Sequence, residues 1–336
     1  MLLGLSSRRF PYMRCRGCDL IFLAERPAPA SMALFYPEHY HPYSEPILPG
    51  SVQNRRVSFV ERFLQMIECG RVERLRERLQ ESVAARFPDP VVPALQSFYR
   101  PPKRGAVLLD FGCGSTWFLN RQRNIRWQTI GMEFKEDLVE QIRRDGHQGV
   151  LVSETGWNAI VDESVDAVRM NHVLEHLHDP KAILSRLLAK LKPGGGIHLA
   201  VPNPRGLSAH LFRSSWFSLE APRHLMLYSP RGLARLLSGL GLVDIRVLHE
   251  TTSKDFARSL GYVLREWRLL SSEVAPRMGD EPLLNAWLSP LMLWTGAHGY
   301  GDRLHAFARK ARSPLGPGQA VVSGTQGTPE RALYLR

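Results

Sequence analysis

The sequence predicts an α/β fold built on a parallel sheet, and two observations support this prediction. From Ala106 onward, short apolar runs of strand length alternate with stretches whose apolar residues recur at helical spacing. The first of these runs ends in a turn with two glycines, ahead of a predicted helix. Strands that alternate with helices pair in parallel. We therefore expect one sheet with helices packed against it.

The elements of this fold can be assigned in order. The predicted strands are residues 106–110, 127–134, 165–171, 196–203, 243–249 and 302–310. The predicted helices between them are residues 135–144, 180–191 and 230–240. The sheet core accordingly covers residues 105–253. A helical insertion, residues 254–300, precedes the final strand of the core within residues 301–312.

The segments outside this core differ from it in composition. Residues 1–50 are short apolar pieces broken by proline and aromatic residues. Residues 51–104 predict an N-terminal helical segment, because apolar residues recur at helical spacing over residues 55–86 before a proline-rich linker. Residues 313–336 are rich in Gly, Pro, Ser and Thr and predict a disordered tail.

The composition limits the classes of protein to consider. The chain has 336 residues, 44% of them hydrophobic and 23% charged, which excludes a wholly disordered chain. Four cysteines are too few for a disulfide scaffold, and the start lacks the order of a secretory signal, so we expect a cytoplasmic protein. The net charge of +12 is spread along the chain, whereas nucleic-acid binders concentrate it. We therefore expect no nucleic-acid partner.

One apolar stretch raises the question of a membrane. Residues 283–297 are too few for the roughly 20 apolar residues of a bilayer span, and Pro290 interrupts them. We expect a helix packed on the core. The alternative is an interfacial helix anchored by Trp287 and Trp294, with weak contact to a membrane surface. The sequence predicts no oligomeric state.

The most informative stretch is LLDFGCGSTWFL, in which a strand ends in Asp110 and Gly112 and Gly114 form a turn. Glycine lets the backbone approach a ligand, and the following helix N-terminus offers unpaired N–H groups. The next strand ends in Glu133, and a carboxylate there can accept both hydroxyls of a ribose. The dinucleotide pattern Gly-x-Gly-x-x-Gly is not met, because Trp117 takes the place of its third glycine. A nucleotide-like ligand is predicted, with a purely structural turn as the alternative.

Four segments in this order carry a resemblance: LLDFGCG, IGMEF, SVDAVRMNHVLEHLHDP and LLAKLKPGGGIHLAVPN. They resemble the class I S-adenosylmethionine-dependent methyltransferases, in the branch that includes quinone-biosynthesis and other small-molecule methyltransferases. The resemblance covers about residues 105–250. It implies a Rossmann-like sheet of seven strands, mostly parallel with an antiparallel last strand. It also implies S-adenosylmethionine as cofactor and a small-molecule methyl acceptor.

The resemblance further implies which residues hold the cofactor. Asp110, Gly112 and Gly114 would hold its methionine end. Glu133 would bind the ribose hydroxyls, and Phe134 would flank the adenine.

The later strand ends complete this implied pocket. Ser153 and Glu154 would meet the adenine amine, while Met170 and Asn171 would line the pocket near the sulfonium. The sequence departs from the family at Thr116, where a further glycine is usual. We expect the Thr116 side chain to narrow the turn.

The segment His172-Val173-Leu174-Glu175-His176 matches a zinc-protease signature, but it follows a strand where that signature needs a helix. Quinone O-methyltransferases carry Glu-x-x-Glu-His at this place and use it for a divalent ion. Since His172 replaces the first Glu here, we expect no metal. The candidate catalytic residues are His172, His176 and His224, the last in a Pro-Arg-His turn that resembles the same branch. A neutral imidazole can serve as general base.

Cys15 and Cys18 form a C-x-x-C turn ahead of a predicted strand. The stretch resembles the second half of a zinc ribbon found ahead of some sugar and natural-product methyltransferases. A zinc site needs four ligands, and His39 and His41 are candidates for the missing two. We favour a vestigial knuckle without metal.

The predicted function is therefore methyl transfer from S-adenosylmethionine to an O, N or C atom of a sugar derivative, a quinone-like ring or a natural-product ring. The first alternative is a catalytically degenerate methyltransferase fold that binds RNA or another anionic partner, suggested by Thr116 and the incomplete cysteine set. A dinucleotide oxidoreductase is a further alternative.

Overall fold

The fold is known from a computed structural model, which describes residues 10–36, 63, 66, 70–250, 252–272 and 274–312. The predicted disordered tail, the histidines His39 and His41, and most of the predicted helical segment before Gly70 lie outside the described residues.

The described elements agree closely with the predicted ones. The strands are β1 (Tyr12–Arg14), β2 (Ile21–Leu23), β3 (Val107–Phe111), β4 (Gln128–Glu133), β5 (Gln148–Leu151), β6 (Val165–Asn171), β7 (Leu191–Pro202), β8 (Met226–Leu227), β9 (Leu242–Glu250) and β10 (Arg303–Lys310). The α-helices are α1 (Gly70–Arg86), α2 (Val91–Phe98), α3 (Trp117–Asn124), α4 (Glu136–Arg144), α5 (Glu154–Asn158), α6 (Pro180–Lys190), α7 (Leu207–Phe212), α8 (Pro230–Gly239), α9 (Ser253–Glu266) and α10 (Pro282–Ala297).

Seven strands form the central sheet, in the order β5-β4-β3-β6-β7-β10-β9. Strands β3 to β7 pair in parallel, whereas β10 runs antiparallel to both of its neighbours, β7 and β9. The predicted Rossmann-like sheet with an antiparallel last strand is confirmed. Because the strands β3, β4 and β6 are parallel neighbours, the turns after them meet at one edge of the sheet.

The two faces of this sheet differ in polarity. One face belongs to a large apolar core that includes Leu109, Val168 and Leu199. On the other face the register aligns Asp110, Arg169 and His198 across three neighbouring strands. Since side chains alternate between the faces along a strand, these three polar residues all fall on the second face.

The N-terminal hairpin packs into the same core. Strands β1 and β2 pair with each other, and β2 also pairs with β8, so that a small three-stranded sheet joins the hairpin to the core. Leu23 is 1% exposed and belongs to the main core cluster. Cys15 and Cys18 lie in the tight turn between β1 and β2, as predicted, with Cys18 exposed.

The insertion before β10 is helical, as predicted, and consists of α9, a 3-10 turn and α10. These helices share a small apolar cluster formed by Ala257, Met278 and Leu284. The stretch proposed as an interfacial helix lies in α10, where Trp294 is 46% exposed. Within the described part of the chain, no helix combines the length and apolar character needed to cross a bilayer.

The packing of the hairpin predicts the effect of truncating Leu23. We expect Leu23→Ala to lower the free energy of unfolding by about 3 kcal/mol, because it leaves a cavity in the core. Met13→Ala is the matched control on the same hairpin, since Met13 is 56% exposed. Denaturant titration measures both variants, and equal stability of the two would show that the hairpin is not part of the core.

Candidate active site

The glycine turn after β3 lies directly against the segment after β6. Gly112 and Gly114 have φ angles of +68° and +65°, which L side chains rarely adopt. A Cβ atom built on Gly112 would lie 2.5 Å from Cγ2 of Val173. Only glycine therefore fits at this position, and its backbone brings the turn next to His172.

Glu133 closes the turn from the end of β4. One carboxylate oxygen accepts a hydrogen bond from the Gly114 N–H at 2.7 Å, and the other accepts one from the Phe134 N–H at 2.7 Å. The residue is 4% exposed, and burial raises its pKa. These two bonds hold the Glu133 carboxylate, the predicted acceptor for the ribose hydroxyls, beside the glycine turn. Its remaining lone pairs can accept further hydrogen bonds.

Phe134 extends this edge with an exposed aromatic face. The side chain is 51% exposed and packs edge-on against Phe111, with ring centroids 5.5 Å apart. Trp157 stacks on the other side of Phe111 at 5.8 Å. An exposed ring held by buried aromatic neighbours suits the predicted contact with an adenine.

Asp110 is completely buried, and its partner is a residue that sequence reasoning missed. Nη1 of Arg169, on the neighbouring strand β6, lies 2.9 Å and 2.7 Å from the two carboxylate oxygens. The Arg169 guanidinium also stacks on the Phe118 ring, 3.9 Å from its centroid. The available signal was a basic residue inside the apolar run VDAVRMN, because a charge in a buried strand requires a partner.

Two residues at the later strand ends are engaged by the protein itself. Ser153 caps α5, since its Oγ accepts a hydrogen bond from the Gly156 N–H. Both Glu154 oxygens accept hydrogen bonds from Arg186 at 2.7 Å. Their predicted contact with the adenine amine stays a prediction, and it would require these bonds to be shared.

Two expectations about side chains need correction. Met170 is fully buried in the apolar core, so the expectation that its side chain lines the pocket is wrong, whereas its neighbour Asn171 is partly exposed. The expectation that Thr116 narrows the turn is also wrong, because its hydroxyl donates to the carboxylate of Asp145 at 2.5 Å. The orientation of Met170 follows from the alternation of side chains along its strand. The orientation of Thr116 follows from a hydrogen-bond partner that is distant in sequence.

The three candidate histidines gather around one buried carboxylate. Glu175 is completely buried, and His172 lies 3.2 Å from it through Nδ1. Nε2 of His224 lies 4.0 Å from the same oxygen, and the rings of His176 and His224 meet edge-on with centroids 4.6 Å apart. The predicted catalytic residues are thus brought together from two separate segments.

The hydrogen-bond partners indicate which ring nitrogen carries the proton in two of the three histidines. The partners of the three Nδ1 atoms are a carboxylate oxygen of Glu175 for His172, the Arg223 carbonyl for His176 and the Ser218 carbonyl for His224. Such oxygens only accept, so Nδ1 donates in His172 and in His224. Nδ1 of His176 lies 3.0 Å from the Tyr36 hydroxyl as well, and a hydroxyl can donate or accept. His172 also has a φ angle of +54°, an uncommon backbone conformation for a residue other than glycine.

Burial and hydrogen bonding set the charge states in this cluster. Burial lowers the pKa of His176 to about 4 and that of His224 to about 4. Burial alone would raise the pKa of Glu175, but the hydrogen bond from His172 and the neighbouring histidines hold it at about 2. At neutral pH the cluster therefore contains one carboxylate beside neutral His176 and His224.

This arrangement also bears on the prediction that no metal binds. Glu175, His176 and His224 each offer one ligand atom, and these atoms lie within 4.8 Å of one another. Two imidazole nitrogens and a carboxylate oxygen are ligands that zinc and other transition metals accept. The absence of a metal therefore stays a prediction, and the donor set fits a divalent cation.

The contact at Gly112 predicts the effect of adding one methyl group. We expect Gly112→Ala to abolish binding of S-adenosylmethionine, because the new Cβ would displace Val173 and strain the turn. Isothermal titration calorimetry measures the affinity. Gly239→Ala is the control, since a Cβ there meets no atom within 4 Å. Wild-type affinity in Gly112→Ala would refute the assigned turn.

The lowered pKa values of His176 and His224 predict an acid-sensitive fold. Between about pH 6.5 and pH 4 the unfolded chain binds protons at these residues and the native state does not, so stability falls as pH falls. We expect a loss on the order of 2 kcal/mol per histidine between pH 7 and pH 5. Denaturant titration at both pH values measures it.

The variant that isolates this effect is His224→Asn, whose amide can still donate to the Ser218 carbonyl. Its stability should depend less steeply on pH than that of the wild type. His298→Asn, at an exposed position outside the cluster, should keep the wild-type dependence. The same slope in His224→Asn and the wild type would contradict the buried neutral state.

Comparison with known proteins shows which sequences and structures this chain resembles. The chain is 30% identical over 105 residues to a ubiquinone biosynthesis O-methyltransferase of Xanthomonas oryzae pv. oryzae, covering 30% of this chain and 44% of that protein. It is 26% identical over 160 residues to the same-named protein of Idiomarina loihiensis, covering 43% of this chain and 64% of that protein. The chain thus spans less than two thirds of the length of these curated relatives.

Among solved structures, a SAM-dependent methyltransferase from Archaeoglobus fulgidus matches 75% of this chain and 100% of its own, with a TM-score of 0.42 and 20% identity. A family profile described as "Methyltransferase domain" matches residues 74–247, which are 174 of the chain's 336 residues. The chain therefore belongs to the methyltransferase domain family, which confirms the prediction of a class I S-adenosylmethionine-dependent methyltransferase with S-adenosylmethionine as its cofactor.

Proposed function

We propose that this protein transfers the methyl group of S-adenosylmethionine to an oxygen atom of a small-molecule acceptor, with His172 as general base and Glu175 as the residue that positions it. The observation that carries the proposal is the His172–Glu175 hydrogen bond, one residue from the contact between Val173 and the glycine turn. Base and cofactor turn are thus parts of one packed unit.

The residues around the glycine turn fit the cofactor. Gly112 leaves room that a Cβ would fill, Glu133 offers a fixed carboxylate for ribose hydroxyls, and Phe134 offers an exposed ring for the adenine. Asp110 lies behind the turn and would face the positive ammonium group of the methionine end. When bound, the cofactor supplies an electrophilic methyl group on a sulfonium.

His172 is favoured as the base over His224 because it is more accessible, and over His176 because it is the histidine hydrogen-bonded to Glu175. Its side chain is 31% exposed, whereas that of His224 is 5% exposed. His172 donates through Nδ1 to the Glu175 carboxylate and keeps its Nε2 lone pair. A carboxylate that orients an imidazole and stabilises its protonated form is the arrangement of known acyl-transfer enzymes. His176 and His224 would then hold Glu175 in place.

Two buried polar atoms support an acceptor with hydroxyl character. Oε2 of Glu175 and Nε1 of Trp216 are buried and have no hydrogen-bond partner among the described residues. A buried group without a partner is costly, and a ligand hydroxyl can both donate to an oxygen and accept from an N–H. Relatives named for ubiquinone biosynthesis and O-methylation favour a ring hydroxyl over a nitrogen or carbon acceptor.

In the proposed step the acceptor oxygen forms a bond to the methyl carbon as the bond from that carbon to sulfur breaks. The acceptor hydroxyl proton passes to Nε2 of His172. The negative charge of Glu175 stabilises the resulting imidazolium. The remaining contribution of the protein is to hold the two reactants in line at short distance.

The proposal predicts a selective loss of activity in His172→Ala. We expect kcat to fall by about 100-fold or more, because a general base contributes about that much. The affinity for S-adenosylmethionine should stay unchanged. Transfer of labelled methyl to a panel of hydroxylated ring compounds measures activity, and calorimetry measures the affinity.

His298→Ala, at an exposed position outside the cluster, is the control and should keep wild-type activity. Full activity in His172→Ala would overturn the assigned base. Loss of wild-type activity in EDTA that Zn²⁺ or another divalent ion restores would replace the base with a metal centre at Glu175, His176 and His224. Absence of S-adenosylmethionine binding at millimolar cofactor would overturn the proposed function itself.

The alternative of a degenerate binding protein loses one of its two arguments. It depended in part on Thr116 obstructing the turn, but the Thr116 side chain points to Asp145.

A further inference from the structure

A continuous chain of buried and partly buried polar side chains crosses the sheet behind the glycine turn. It runs from β3 to the helical insertion, on the face opposite the apolar core. Its members, in order of contact, are Asp110, Arg169, Tyr99, His198, His305, Glu250, Arg303 and Asp255.

The contacts in the middle of this chain are short. The Tyr99 hydroxyl lies 2.6 Å from Nδ1 of His198, and Nε2 of His198 lies 2.9 Å from Nδ1 of His305. Nε2 of His305 lies 3.0 Å from a carboxylate oxygen of Glu250. Each distance is within the range of a hydrogen bond, so the chain has no gap between Tyr99 and Glu250.

The Glu250 carboxylate at one end can only accept, and this sets the direction of the hydrogen bonds between Tyr99 and Glu250. Tyr99 then donates to His198, His198 donates to His305, and His305 donates to the Glu250 carboxylate, which can only accept. Burial lowers the pKa of His198, so this histidine is neutral at neutral pH.

The far end of the chain is anchored in the insertion. Arg303 on β10 lies 3.8 Å from Glu250 and donates to both carboxylate oxygens of Asp255, at 2.8 Å and 3.0 Å. Asp255 is 1% exposed and belongs to α9. The chain thus has a fixed acceptor at one end and the cofactor turn at the other.

Arg169 is held on three sides by this arrangement. Asp110 accepts from it, the Phe118 ring stacks on it, and the Tyr99 hydroxyl lies beside it. Without the Tyr99 hydroxyl, Arg169 would lose one neighbour and His198 would lose its donor. Because Arg169 sets the orientation of the Asp110 carboxylate, a change at Tyr99 would reach the cofactor turn through these two residues.

We propose that Tyr99, His198 and His305 are positioning residues for the cofactor: by holding Arg169 they orient the Asp110 carboxylate toward the ammonium group of S-adenosylmethionine. The inference rests on the proposed function, in which Asp110 meets the methionine end of the cofactor. Among the described residues, no printed hydrogen bond joins Tyr99, His198 or His305 to the acceptor cluster, so we expect the main effect on cofactor binding.

The test is Tyr99→Phe, which removes the hydroxyl and keeps the ring. The ring packs edge-on against Phe98 and Phe118, so the variant should fold. Calorimetry with S-adenosylmethionine and S-adenosylhomocysteine should show a Kd raised up to about tenfold, which corresponds to the loss of about one hydrogen bond. KM for the cofactor should rise to the same extent, while kcat at saturating cofactor changes less than about twofold.

The matched control is Thr129→Val. Its hydroxyl lies 2.6 Å from Nδ1 of the buried His147, the same distance as in the Tyr99–His198 pair, but it lies on β4 and is not a member of the polar chain. This variant should keep the wild-type Kd. A lower thermal stability of Tyr99→Phe with an unchanged Kd would overturn the inference, since it would indicate a structural role only.

A second pair of variants tests the chain one step further from the cofactor. His305→Gln keeps an amide that can accept and donate, whereas His305→Leu can do neither. The Kd should rise more in His305→Leu than in His305→Gln, and equal values would overturn the inference. If the wild type itself fails to bind S-adenosylmethionine, the proposed function fails, which is a separate outcome from unchanged binding in the variants.

Discussion

The close packing of Gly112 against Val173 is the constraint on which the candidate site depends. It places the backbone of the cofactor turn beside the segment that carries His172 and Glu175. A side chain on Gly112 would push the turn away from the segment with His172 and Glu175. The cofactor turn and the base could then no longer act together in one reaction. The parallel order of β3 and β6 makes this approach possible, because both strands end at the same edge of the sheet.

Burial of charge is the second feature of the molecule. Asp110 and Glu175 are both completely buried, and each is compensated locally, by Arg169 in one case and by His172 in the other. Burying such groups is costly unless they are paired and hydrogen-bonded. Their presence at the strand ends therefore indicates a role in binding or chemistry, because apolar residues at these positions would stabilise the sheet without the free-energy cost of burying a charge.

Much of the site could be predicted from the sequence, because its motifs are local. The turn at Gly112 and Gly114 and the acid at Glu133 depend on residues a few positions apart, and the structure describes them where they were expected. Met170 and Thr116 were misjudged for a physical reason. The orientation of a side chain depends on which face of the sheet it occupies and on partners distant in sequence.

By itself the sequence determined the order of strands and helices, the glycine turn and the membership in a methyltransferase family, since each is written in contiguous residues. Only the tertiary structure decided that His172 is the histidine bonded to Glu175, that Arg169 is the partner of Asp110, and that a polar chain runs from Tyr99 to Glu250. The physical reason is that a hydrogen bond joins atoms that are close in space. Tyr99 and His198 are 99 residues apart in the chain, and only the fold brings them to 2.6 Å.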